Sequence, residues 1–163
     1  MKLTSPLSRG FSLVEVVMAL GVTSFCLLST LALLPIGLAS SRESLQKTTA
    51  ASIVAEISSD LRQPPVTVGS GGSAYQGTPR FQIKTVASTT TLYLGADDSF
   101  STTATGNSLY RATVTVANAS PGSTIPVRIL ITWPALADPN PAQTPTHYTG
   151  SLDISTAVNT LSR

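Results

Sequence analysis

Glu15 is the residue whose type and position carry the most chemistry, because it is the one carboxylate in a long apolar run. The 26 residues from Val16 to Ser41 hold no charge. They make a helix of about 39 Å at about 1.5 Å per residue, enough to span a bilayer core with some tilt. A carboxylate on such a helix is costly unless it has a partner or a task. Other reactive groups are sparse. His147 is the only histidine; no Ser, His and acid arrangement or metal-ligand spacing surrounds it, and it reads as a half-exposed strand residue. Asp97 and Asp98 offer oxygens of the type calcium requires, but a solvated turn accounts for the pair better. Cys26 is the sole cysteine, so the chain has no internal disulfide, and it reads as a small apolar packing residue. Trp133 beside Pro134, with Tyr110 and Tyr148, has the makings of an adhesive surface, although aromatic residues on small sheets are more often core. No ligand is assigned to them, and no cofactor or metal is expected.

Arg9, Gly10, Phe11, Ser12, Leu13, Val14 and Glu15, leading into that apolar run, resemble the amino terminus of type IV prepilins and type II secretion pseudopilins. The resemblance covers residues 1–62. Within the family, residues 10–20 most resemble minor pilins and pseudopilins of the pilus-modification type. A second resemblance, to the Verru_Chthon cassette protein B group of pilin-like proteins, rests on the same segment plus Ser59, Asp60, Leu61 and Arg62. The family implies cleavage after Gly10 by a prepilin peptidase, N-methylation of the new terminus Phe11, and an assembly role for Glu15 at the fifth mature position. Its implied partners are the peptidase/N-methyltransferase, other pilin or pseudopilin subunits, an inner-membrane assembly platform and membrane lipid. The implied location is the bacterial inner membrane as a single-pass prepilin with a periplasmic head, then the pilus or pseudopilus. Many pilins close a carboxy-terminal loop with a disulfide, and the lone Cys26 departs from that pattern. Phe25 before Cys26 also rules against a lipoprotein signal.

With cleavage after Gly10, the Phe11 amine is a cation near neutral pH, one helical turn from the Glu15 carboxylate. The two neutralise each other within a chain, or between an incoming subunit and its neighbour. Pairing in an apolar setting makes register matter, since an unpaired buried charge costs on the order of several kcal/mol. The competing reading, Glu15 snorkelling at the edge of an ordinary anchor, leaves Gly10 and Phe11 unexplained.

Charge and composition fit a small exported protein. The chain has 163 residues, and only 11% are charged, so its surface is neutral and rich in hydroxyls. The formal charge of +2 is misleading: Lys2 and Arg9 fall in the leader, leaving eight basic residues against eight acidic ones. No basic patch for phosphates is indicated, and nucleic acid is not an expected partner. About 100 residues remain after the helix, enough for one compact domain.

Four parts follow along the chain. Residues 1–10 form a leader whose Lys2 and Arg9 keep it cytoplasmic. Residues 11–39 form the transmembrane or filament-core helix, with Pro35 and Gly37 as a candidate melting point or kink. Residues 40–63 read as an amphipathic helix, with Leu45, Thr49, Ile53, Ile57 and Leu61 spaced by four and Ala50 and Val54 beside them; Glu43 and Lys47 pair on its outer side. Pro64 and Pro65 stop it. Residues 64–163 form a β-rich head. It opens with a flexible Gly/Ser stretch at 69–73, and strands are expected at 81–86, 91–95, 109–117, 127–133 and 147–154. Turns are read at Asp97 and Asp98, Gly106 and Asn107, and Pro121 and Gly122, and an irregular exposed loop at 134–145. The expected fold is α+β, a long N-terminal helix packed on a small antiparallel sheet in a pilin-like roll.

The residues admit three functions. The first is a structural subunit or minor component of a type IV pilus or a secretion pseudopilus. The second is a secreted β domain with a cleaved signal peptide; its apolar region exceeds the usual core of about 7 to 15 residues. The third is an uncleaved single-pass anchored protein, whose enzyme version lacks a catalytic constellation.

Overall fold

The computed structural model describes residues 10–69, 74–118 and 123–159. The leader residues 1–9, most of the Gly/Ser connection and the turn at Pro121 and Gly122 lie outside the described residues. The chain divides into two compact units, Met1–Ser44 and Leu45–Arg163.

One helix, α1 (Leu13–Leu61), enters both units. It starts where Ser12 caps it: the Ser12 hydroxyl accepts a bond from Val14 N at 3.3 Å, and the Ser12 carbonyl accepts from Glu15 N and Val16 N. Ser12 and Glu15 have the S-x-x-E spacing of a capping box, and Glu15 lies in the first turn, where the helix dipole favours an anion by about 0.3–1 kcal/mol. In the first unit the apolar side chains, Leu13 to Leu38, are exposed. Thr23, Ser29 and Thr30 turn their hydroxyls back onto Ala19 O, Phe25 O and Cys26 O at 2.7–2.9 Å. Hydroxyls bonded this way add little polarity to an apolar surface. The helix continues through Pro35 and Gly37.

In the second unit the last turns of α1 bury Ala50, Ile53, Val54, Ile57 and Leu61. The expected stripe is two residues too long at its start. Leu45 is 65% exposed, and Thr49 is exposed as well, its hydroxyl bonded to the Leu45 carbonyl. The helix ends at Leu61, before the two prolines, and Arg62 N and Gln63 N close the end onto Ser59 O and Asp60 O.

The head holds a small hairpin of β1 (Val66–Val68) and β2 (Tyr75–Gly77), and a five-stranded antiparallel sheet. The sheet strands are β3 (Ser88–Gly95), β4 (Phe100–Ser101), β5 (Ser108–Val116), β6 (Thr124–Trp133) and β7 (Gly150–Asn159), in the order β4-β3-β5-β6-β7. One face alternates into the core: Leu92 and Leu94, then Tyr110, Ala112, Val114 and Val116, then Ile125, Val127, Ile129, Ile131 and Trp133. The α1 stripe, Phe81 and Ile83 complete this core. The α+β expectation therefore holds: a long helix packed on a small antiparallel sheet.

Four strand expectations find their strands, all with moved ends, the one beginning at Val127 starting at Thr124. The strand beginning at Thr91 starts three residues earlier, at Ser88, and that beginning at His147 starts at Gly150. The strand expected at 81–86 is absent. That segment turns at Thr78–Phe81 and makes one bridge, Lys84 to Gly77. Its Phe81 N–H is taken by the Asp60 carboxylate at 2.9 Å, so Phe81 is buried by a loop rather than by a ladder. The loop at 134–145 is also different. It carries a short 3-10 helix, Ala135–Ala137, and buries Ala135, Asp138 and Pro145, crossing the outer face of the sheet as a strap.

Candidate functional site

The first group of interest is the start of α1. Gly10, Phe11 and Glu15 are all exposed, Gly10 and Phe11 just before the helix and Glu15 in its first turn. Gly10 and Phe11 lie outside regular secondary structure, and a Cβ at Gly10 would meet no atom within 4 Å. The helix that follows is long and apolar enough to cross a membrane, by length and composition. Cys26, Pro35 and Gly37 lie along this exposed stretch. What this group can do is present a peptide bond, a terminal amine after cleavage, and a carboxylate at the head of an apolar rod.

The second group is in the head, and sequence reasoning missed it. Arg111 on β5 is 1% exposed, and its guanidinium is bonded to backbone carbonyls. Its Nη1 donates to Asp138 O at 2.9 Å, and Nη2 donates to Gln143 O. Tyr93 OH, on the neighbouring strand, donates to Pro139 O at 2.8 Å, and Thr91 Oγ1 to Pro141 O at 3.1 Å. Four strap carbonyls are thus held by three side chains of the outer sheet face. The Asp138 carboxylate then closes the strap on itself, accepting from Thr146 N at 2.9 Å, His147 N at 2.7 Å and the His147 ring at 3.2 Å. Burial pushes the Asp138 carboxyl up, but the His147 and Thr146 bonds more than offset it and leave it below its ordinary value. For Tyr93, burial dominates and raises the phenol, against the lowering by Arg111. One signal was available in the sequence: Arg111 sits among alternating strand residues where a solvated arginine would need an open sheet face.

The remaining candidates are not brought together. His147 lies outside any strand, its side chain 79% exposed, and pairs with Asp138. This corrects the half-exposed strand position. The Thr146 hydroxyl reaches the same ring nitrogen, Nδ1, as Asp138 does, so it is not placed as a nucleophile across the ring. Asp97 and Asp98 form an exposed turn in which Asp97 Oδ1 accepts from Ser99 Oγ at 2.6 Å. That bond, first among the causes, holds the Asp97 carboxyl below its ordinary value. No group of three or more His, Cys, Asp or Glu residues able to hold a metal occurs among the described residues. Trp133 and Tyr110 are buried and meet edge to face at 5.9 Å. Tyr148 is exposed while the other two are buried, so the three form no common surface. No family model, curated protein or solved structure matches the chain.

Proposed function

We propose that this chain is a pilin-like structural subunit, a minor pilin or pseudopilin of a type IV pilus or type II secretion pseudopilus, that works by assembly rather than catalysis. The observation that carries the reading is the placement of Gly10, Phe11 and Glu15 at the head of α1, whose first unit exposes apolar side chains all round while its last turns bury a stripe on a sheet. An exposed helix of that composition needs lipid or other helices around it. The prepilin sits in the inner membrane with its leader in the cytoplasm and its head in the periplasm. The peptidase cuts after Gly10 and methylates Phe11. The helix then leaves lipid for a bundle of similar helices, guided by the Phe11 amine and Glu15, through the assembly platform. A charge pair at a helix terminus in an apolar bundle sets axial register because a mismatch leaves a charge unpaired. Pro35 and Gly37 are where the helix loses a backbone bond and a side chain, and so where it melts first on leaving the membrane.

The test is the intact mass and amino-terminal sequence of the protein extracted from its host's membranes. A chain that starts at methylated Phe11 supports the proposal. A start near residue 40 would make it a secreted domain, and an intact leader would make it a plain membrane anchor; either would overturn the proposal.

A further inference from the structure

The five-stranded sheet has two edges, and they are built differently. At one edge β7 runs for ten residues against β6 in unbroken register, from Thr124 opposite Asn159 to Trp133 opposite Gly150. No strand pairs with its other side among the described residues. Strand edges are usually blunted by lysine, proline, a bulge or shortness. β7 has no lysine, proline or bulge; its single charge, Asp153, is tied back to Arg128 Nε at 3.0 Å. Among the described residues about 30 Å of ladder edge, Gly150 to Val158 at about 3.3 Å per residue, has no partner strand.

At the opposite edge β4 covers only Tyr93 and Leu94 of β3, leaving residues 88–92 with no partner strand on that side among the described residues. There the edge is the floor of a cleft of roughly 320 Å³, formed by Thr89, Thr90 and Thr91, with Tyr75, Lys84 and Phe100 on its walls. Lys84 is the only charged residue in its lining among the described residues. A cleft floored by a strand edge is the usual seat of an added strand.

We propose that these two edges pair between copies of this chain: β7 of one subunit is added antiparallel to residues 88–92 of the next. Direction supports this occupant. β3, β5, β6 and β7 alternate through three antiparallel steps, so β7 runs opposite to β3. A second copy that continues the sheet, rotated by the twist each strand step adds, therefore brings β7 against β3 in the antiparallel sense. Two copies joined by β7 alone would have to be related by a two-fold axis, which closes the pair. Edge-to-edge joining is heterologous and extends from copy to copy unless its rotation closes a ring. Chemistry agrees as well. Ser151 and Ser155 on β7 match the threonines of β3 as hydroxyl-bearing cross-strand neighbours. The two edges stand without the assembly reading above.

Cross-linking of full chains in membranes of the native host tests the pairing. In a Cys26→Ser background, one tagged population carries Thr89→Cys and a second, with a different tag, carries Ser155→Cys. Both residues are exposed. A short bis-maleimide should join the two populations at least about tenfold more than either joins itself. A product dominated by Ser155→Cys joined to itself would mean two-fold pairing through β7 and would overturn the proposal, as would no cross-linked product. The amino-terminal residue is read on the same membranes. A Phe11 start without cross-link removes the edge pairing and leaves the assembly reading standing, whereas an intact leader with cross-link does the reverse.

Discussion

The carboxylate of Asp60, in the last turn of α1, accepts the backbone N–H of Phe81 at 2.9 Å. Its other oxygen accepts Arg80 N at 3.0 Å, and Asp60 itself is 2% exposed. One side chain thus ties the end of the helix to the loop that closes the core over it. Phe81 is 1% exposed and meets Phe100 edge to face at 5.3 Å.

Asp60→Ala should therefore destabilise the head by about 1–4 kcal/mol, because the buried Phe81 N–H loses its acceptor at about 1–3 kcal/mol and the part-buried Arg80 N–H at less. Asp60→Asn should recover part of the loss, since an amide still offers one acceptor. Chemical denaturation of both variants followed through Trp133 fluorescence checks this, and an Ala variant as stable as the parent would refute the tie.

Trp133 sets a second constraint. Its indole N–H donates to Gln46 Oε1 at 3.0 Å, linking β6 to α1, and its ring lies against Gly150, where an added Cβ would overlap the indole. Gly150→Ala must push the ring aside and should cost about 1–3 kcal/mol, the range for overpacking. Near-ultraviolet circular dichroism should show the tryptophan signal change in that variant, while Gly106→Ala, with nothing within 4 Å of its Cβ, leaves it as it was.

Acid should loosen the strap. Asp138 and Asp153 both have carboxyls held below the ordinary value of 3.8, Asp153 first by its hydrogen bond from Arg128. A depressed folded-state value contributes stability that is present above about 3.8 and is lost as the pH falls through the folded value. Stability measured by denaturation from pH 6 down to pH 2.5 should fall below about pH 4. Asp138→Asn should be less stable at pH 6 and show a shallower fall, and an unchanged slope would remove Asp138 as its source.

For assembly, Glu15→Ala should still insert into the membrane but enter filaments or bind the assembly machinery poorly, with incorporation down by about tenfold or more. Normal incorporation would refute the register role of the carboxylate. Gly10→Ala tests processing separately: the leader should stay attached, as read by intact mass, because bulk at the cleavage position blocks the peptidase.

Much of the chain was legible because one-dimensional patterns report one-dimensional constraints. The charge-free run fixed the length of the apolar helix, Pro64 and Pro65 placed its end within a few residues, and alternation at Val127, Ile129, Ile131 and Trp133 marked a half-buried strand. Gly10, Phe11 and Glu15 stood out because an isolated carboxylate in an apolar run has few explanations. The sequence by itself thus determined an α+β layout through composition and period, while the processing and assembly segment is what its resemblance to type IV prepilins implies.

Only the tertiary structure decided what depends on residues far apart in the chain. Phe81, Ile83 and Lys84 have strand-like types, yet Asp60, 21 positions before Phe81, takes its N–H and turns the segment into a loop. Residues 134–145 hold four prolines and read as loose, yet Arg111, Tyr93 and Thr91 bind their carbonyls and pull Asp138 into a buried position. Backbone carbonyls look alike in every residue, so a sequence cannot show which of them a buried guanidinium will reach. Sheet order likewise decides which strand edges stay open, because that depends on which strands end up last in the sheet rather than on what each strand contains.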